Sequence, residues 1–275
     1  MMIEKRTLGL TGLELPCLGM GTWRTFDIRG KPEQHARKEL VDSALARGVR
    51  VFDTSPMYGE SERVLGACLT GRRDRAFVAT KVWSPDPTEG QRQIDRALHY
   101  FEGRVDLYQV HNLVAWRTYL PVLERMRAAG TIAALGITHY QHSAFSEMEA
   151  IMRRYEIDTI QAPYNALDSA CTHRLLPLAE ERGIGVLVMQ PFGEGTLTRT
   201  SPPSAELMQF ERYGVRTWPA ILLKWVLSDQ RVTVAIPATS NPEHLEENLA
   251  AASPPWFNDA ARMEVTRLAA RYHAG

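Results

Sequence analysis

Four residues of the chain could together move a proton. A strand-like run, VRVF at 49–52, ends on Asp53, and Tyr58 follows across a proline-bearing turn in FDTSPMYGE. Two later strand-like runs end on Lys81 (VATKVW) and His111 (LYQVHN). A phenol has an ordinary pKa of about 10, so it is a sluggish acid at neutral pH. A lysine cation beside it favours phenolate and is expected to lower that value. A carboxylate would keep the lysine charged and in place, and an imidazole would donate to an oxygen gaining negative charge. Singly, each residue has a plainer reading: a helix cap, a packing aromatic, a snorkelling surface lysine, a satisfied core histidine. The case for chemistry rests on all four converging on one small volume.

That convergence requires particular elements. β-rich runs recur at 17–21, 49–54, 75–82, 105–111, 132–138, 157–162, 184–190 and 232–238. Segments of helical period lie between them. Residues 39–48 place Leu40, Val41, Ala44 and Leu45 on one face and stop at Gly48. Residues 61–69 start at Ser61, a candidate N-cap. Residues 88–101, 119–130, 174–183 and 218–229 follow suit, the last with Pro219 in its first turn. Runs such as FVAT and VLVM are apolar on both faces, as parallel strands covered by helices should be. Eight βα units without a composition break fit a closed barrel, which takes about 250 residues. The expected fold is therefore α/β: a (β/α)8 TIM barrel occupying residues 1–275 as one domain, preceded by a β-hairpin at 6–16. An open doubly wound sheet is the runner-up, but GMGTWR at 19–24 has Arg24 where its phosphate fingerprint needs a third glycine. In a barrel, strand ends at the C-terminal face carry the chemistry, and there lie Asp53, Lys81 and His111.

Composition narrows the partners. The 275 residues hold 32 Lys+Arg and 32 Asp+Glu, a net charge of zero, which argues against nucleic acid or an anionic membrane surface. No run is long and apolar enough for a membrane span, and the start shows no secretory signal. Cys17, Cys68 and Cys171 form no CxxC pair, so a reduced, cytoplasmic chain is expected, with a monomer as the expected state. No Walker loop, HExxH or zinc-like cluster occurs, and no metal is expected.

DTSPMYG, TKVW and the VHN strand end resemble the Asp, Tyr, Lys and His tetrad of the aldo-keto reductases. GMGTW, LGIT, QAPYN, PFGEG and IPATSNPEHLEEN follow in family-like order along essentially the whole chain, which resembles a short bacterial-type member. The resemblance implies reduction of a carbonyl by a nicotinamide, with Tyr58 as proton donor, Lys81 and Asp53 tuning it, and His111 orienting the carbonyl oxygen. It also implies NADPH as cofactor, with NADH possible. Gly21, Thr22 and Trp23 would lie at its edge, and Thr138, His139 and Gln161 would bond the nicotinamide carboxamide. His139 stands where many members have Asn, and its plainer role is to cap the next helix. Met189, Gln190 and Phe192 would flank the ring, Met189 replacing a stacking aromatic. Gly193, Gly195, Thr196 and Leu197 would offer backbone N–H groups to the pyrophosphate. At the adenosine end the resemblance points to Ala238, Thr239, His244, Glu247 and Asn248. Ala238 and His244 stand where a Lys and an Arg are usual, which implies weakened hold on a 2′-phosphate.

Trp23, Met57 and Trp83 are candidates for the substrate pocket, with Phe192 beside them. The short loop after His111 implies an open site for small aldehydes or ketones. Two other readings stay open: a nicotinamide-binding regulatory subunit with little turnover, and a barrel lyase or isomerase using Lys81 as a Schiff-base nucleophile.

Overall fold

A computed structural model of the protein describes residues 3–273. It opens with an antiparallel hairpin of β1 (Lys5–Thr7) and β2 (Glu14–Pro16), Lys5 opposite Pro16. Parallel strands follow in chain order: β3 (Met20–Gly21), β4 (Val51–Asp53), β5 (Phe77–Val82), β6 (Val105–His111), β7 (Ile132–Thr138), β8 (Thr159–Pro163), β9 (Gly185–Met189) and β10 (Val234–Ala235). Each pairs with its successor, giving an eight-stranded sheet. Its two edges then close on each other. The Gly19 N–H donates to Ala235 O at 2.9 Å, the Ala235 N–H to Cys17 O at 2.9 Å, and the Gly21 N–H to Pro237 O at 3.0 Å. The expected (β/α)8 barrel with its hairpin is the observed fold. Its first and last strands are shorter than the runs 17–21 and 232–238, because the ladder around them breaks into single bridges at Leu18–Ala235 and Gly21–Ala238.

The surrounding helices are α1 (Lys31–Ala46), α2 (Ser61–Leu69), α3 (Pro87–Tyr100), α4 (Trp116–Ala128), α5 (Phe145–Arg154), α6 (Leu175–Arg182), α7 (Ser204–Leu207), α8 (Trp218–Leu227), α9 (Pro242–Ala251) and α10 (Asp259–His273). Helix α1 buries Leu40, Val41, Ala44 and Leu45, the face its periodicity marks, but starts eight residues before that pattern. Pro32 sits in its first turn, where a missing N–H costs nothing. Ser61 is no cap: Glu60 takes the cap position, and Ser61 is a buried first helical residue. Among the described residues no helix is long and apolar enough to cross a membrane. The three cysteines are unpaired and buried.

Two apolar clusters divide the core. The larger packs the outer strand faces against the helices. The smaller joins Val51, Ala79, Leu107, Ala134, Leu187 and Val234 from six strands, with Leu8 and Leu15 of the hairpin segment added. Side chains alternate faces along a strand, and with Ala79 paired to Leu107 these residues form the apolar part of the barrel interior. Two residues further along β4, β5 and β6 the same face carries Asp53, Lys81 and Gln109, all buried. The interior thus turns from apolar to polar toward the C-terminal end.

Glu62 of α2 is buried against the outside of this level, and its Oε1 accepts from Thr80 Oγ at 2.6 Å. Burial pushes its carboxyl up to about 7, against the Thr80 hydrogen bond and the nearby Lys81 cation. The folded protein therefore holds a proton that the unfolded chain releases between pH 4.5 and 7, so stability falls as pH rises through that window. Glu62→Gln keeps the acceptor without the charge. Its advantage over wild type should grow by about 3 kcal/mol between pH 4.5 and pH 8 in urea unfolding, at 1.36 kcal/mol per pKa unit. Parallel pH profiles for the two proteins would contradict this.

Candidate active site

At the polar end of the barrel, Lys81 Nζ donates to Asp53 Oδ1, Asp53 Oδ2 and Thr54 O, each at 2.8 Å. An ammonium has three protons, and here each has an acceptor. Lys81 is fully buried and Asp53 nearly so. Burial alone would strip the lysine of its proton, but the Asp53 carboxylate, with the Tyr58 phenol adding to it, holds Lys81 above its ordinary value. Burial also pushes Asp53 up, against the pull of Lys81. Gln109 Nε2 lies 3.5 Å from Asp53 Oδ1, a long and weak contact.

Tyr58 ends a one-turn 3₁₀ helix, Pro56–Tyr58, whose first turn is set by Pro56. The Tyr58 N–H donates to Ser55 O at 3.0 Å, which pins the tyrosine close to the end of β4. Lys81 Nζ stands 5.3 Å from its ring centroid. The His111 ring meets it edge-on, centroids 5.8 Å apart and planes at 88°. Burial dominates the phenol and raises its pKa, while the Lys81 cation lowers it. The lysine thus acts in the direction its residue type implies, but the net shift is upward, because removing a phenolate from water outweighs one cation. His111 is pushed down to about 2 by burial first and the Lys81 cation second, so its ring is neutral. Its Nδ1 lies 2.9 Å from Ser55 Oγ.

Tyr58, His111 and the edge of Asp53 face a cavity of about 720 Å³, while Lys81 sits beneath the wall. Gly21, Thr22, Trp23, Met57 and Gln161 line the cavity too. Met189, Gln190, Phe192 and Gly195 form the wall after β9, and Ala238, Thr239, His244, Glu247 and Asn248 the wall after β10. Other expected residues lie outside the wall. Thr138 is buried at the end of β7. His139 Nδ1 accepts the Gln141 N–H at 3.0 Å, a local turn contact. Trp83 is 40% exposed, its backbone clasped by Gln93 of α3 at 2.8 and 2.9 Å.

The loop after β9 departs from the role its glycines imply. The N–H groups of Gly193, Gly195, Thr196 and Leu197 donate to carbonyls of Gln190, Phe192, Gly193 and Phe192, at 3.0 to 3.2 Å. Tandem turns consume these donors, and Gly193, Thr196 and Leu197 do not reach the wall. The glycines instead supply left-handed backbone, φ 53° at Gly193 and 87° at Gly195.

Several wall residues escape a reading by motif. Among the described residues Arg24 is its one Lys or Arg, with its guanidinium 3.9 Å over the Trp23 ring and 3.7 Å from Glu194. Asn112 and Tyr140 follow the ends of β6 and β7. Among the described residues seven non-glycines have left-handed φ, and four of them, Arg24, Asn112, Gln190 and Glu194, lie on this wall. Strain of this kind persists where surroundings over-determine the backbone, and it gathers at functional sites. The adjacency of Arg24 to GMGTW is the one signal in the sequence that could have marked it. Among the described residues, Thr22 Oγ1 and Gln161 Oε1 of this wall, and Thr138 Oγ1 outside it, are buried polar atoms without a partner. Among the described residues no group of three His, Cys, Asp or Glu could hold a metal ion.

Comparison with known proteins bears on the family and the fold. The family model described as "Aldo/keto reductase family" matches residues 17–263. The chain is 27% identical to the aldo-keto reductase YhdN of Bacillus subtilis, over 71% of its own length and 64% of that protein, so it spans just under two thirds of that relative. It is 27% identical to the NADH-specific methylglyoxal reductase of Escherichia coli, over 90% of this chain and 93% of that one. A crystal structure of an aldo/keto reductase from Klebsiella pneumoniae, in complex with NADP and acetate, superimposes with a TM-score of 0.81 at 22% identity, covering 97% and 95% of the two chains. With the family model spanning nearly the whole barrel, the chain belongs to the aldo/keto reductase family, whose members are nicotinamide-dependent oxidoreductases.

Proposed function

We propose that this protein reduces small aldehydes or ketones to alcohols with NADPH, NADH competing for the same site. The observation that carries the reading is the set of Tyr58 and His111 on one cavity wall above the buried Lys81–Asp53 pair. When bound, the nicotinamide supplies a hydride to the carbonyl carbon. Tyr58 supplies the proton to the carbonyl oxygen. Its raised pKa keeps the phenol protonated at neutral pH, and the Lys81 cation favours its loss as the oxygen gains charge. Neutral His111 gives an N–H to the same oxygen and fixes its orientation. Trp23, Met57 and Phe192 exclude water beside it. The three occupied protons of Lys81 count against the Schiff-base reading, which needs a free, neutral amine.

The donor set fits a nicotinamide at one end. A carboxamide would offer an N–H group to Gln161 Oε1, a buried atom of the cavity wall that lacks a partner among the described residues. The fit is poorer for a 2′-phosphate. On the wall after β10 stand Thr239, with its Oγ 3.5 Å from His244 Nδ1, and the Glu247 carboxylate, which favours a hydroxyl over a phosphate. The naming of the Escherichia coli relative as NADH-specific supports NADH as a competitor, and its substrate makes a small reactive carbonyl the first to assay. The same reading takes residues 1–275 as one barrel domain, acting as a monomer in the cytoplasm.

Tyr58→Phe should bind NADPH as wild type does, followed by tryptophan fluorescence, yet reduce a small aldehyde about a thousandfold more slowly. Undiminished turnover would remove Tyr58 as donor. The double variant Ala238→Lys/His244→Arg should tighten NADPH at least about tenfold and leave NADH unchanged, since a charge-assisted bond contributes roughly 1.5–3 kcal/mol. An equal change for both cofactors would show that these positions do not face the 2′-phosphate.

A further inference from the structure

We infer that Ser55 is a positioning residue that fixes His111 in the tautomer with its proton on Nε2. Ser55 is fully buried, with extended backbone, and directly precedes the turn that carries Tyr58. Among the described residues its Oγ has two partners. The Met57 N–H donates to it at 3.2 Å, and His111 Nδ1 lies 2.9 Å away. A hydroxyl has one proton to give and two lone pairs to receive with. The Met57 N–H can only donate, so it occupies a lone pair. The Ser55 proton then has one acceptor within reach, His111 Nδ1. Were Nδ1 protonated instead, it would fill the second lone pair, and the buried serine proton would be left with no acceptor, a penalty the first arrangement avoids. Hydrogen-bond accounting therefore selects Nδ1 as acceptor and Nε2 as the protonated nitrogen.

Two consequences follow. One side chain caps the turn that delivers Tyr58 and sets the donor face of His111, so the two groups above the Lys81–Asp53 pair are held by one atom. The ring also keeps a hydrogen-bond donor on the nitrogen that the serine does not engage. The use of that N–H on a carbonyl oxygen rests on the reductase reading; the tautomer does not.

The test is long-range proton–nitrogen NMR of protein labelled with ¹⁵N-histidine, recorded without substrate or cofactor, the His111 ring assigned by its loss in His111→Asn. Wild type is expected to show a single His111 tautomer with protonated Nε2. Ser55→Ala should mix the tautomers or populate protonated Nδ1. A wild-type ring protonated on Nδ1, or a ring unaltered in Ser55→Ala, would overturn the assignment. In steady state, Ser55→Ala should lower kcat for aldehyde reduction about tenfold, the loss expected for one misplaced hydrogen bond, with cofactor affinity unchanged. A shifted tautomer with wild-type kcat would overturn the positioning role. Failure of wild type to reduce any carbonyl would instead strike the reductase reading, which the spectra do not depend on.

Discussion

The site depends on one buried ion pair. Taking an ammonium and a carboxylate out of water carries a penalty of several kcal/mol per ion after relaxation, which attraction repays only if geometry is good and the remaining protons are satisfied. Lys81 and Asp53 meet both conditions, with the third lysine proton on Thr54 O. The pair replaces apolar packing at the level of the barrel just above Val51 and Ala79. Its contribution is therefore read in the placement of charge more than in stability. A fixed cation 5.3 Å from the Tyr58 ring opposes the effect of burial on the phenol, and the same cation helps keep His111 neutral.

Burial and charge are in balance throughout this end of the barrel. Burial alone would produce an inert phenol and a neutral lysine. Charge alone, in water, would be screened to little effect. Beside or beneath the cavity wall, the groups keep the protonation states that carbonyl reduction needs: a protonated phenol, a charged lysine and a neutral imidazole. The rim has a different character. Arg24 and Glu194 hold left-handed backbone on the cavity wall and pair at 3.7 Å, while the loop after β9 spends its backbone donors on its own turns.

Much of this was legible in the chain. Parallel strands buried on both faces leave continuous apolar runs, so β5 and β6 could be read almost to their ends, and with them Lys81 and His111. Strand ends at one face of a barrel converge by topology, which is why Asp53, Tyr58, Lys81 and His111 could be grouped without coordinates. The edges of β3 and β10 could not, because bridges between the first and last strands depend on closure. The same holds for His139, whose turn with Gln141 is a local hydrogen bond that residue type leaves open. Ser61 carries the composition of a cap but sits one residue inside the helix. Ser55 lies within the most legible motif of all, yet its partner His111 is fifty-six residues away, and only the fold brings the two together.

The most direct measurement is the ionisation of Tyr58 itself, followed by ultraviolet difference titration of the protein against its Tyr58→Phe variant. The same titration is then made in the Asp53→Asn/Lys81→Met background, which removes the ion pair without leaving a lone buried charge. Because Lys81 lowers the phenol pKa by more than Asp53 raises it, the pKa should rise when the pair is removed. A phenol that titrates at the same pH, or lower, in the neutral background would contradict the dependence of the site on the buried pair.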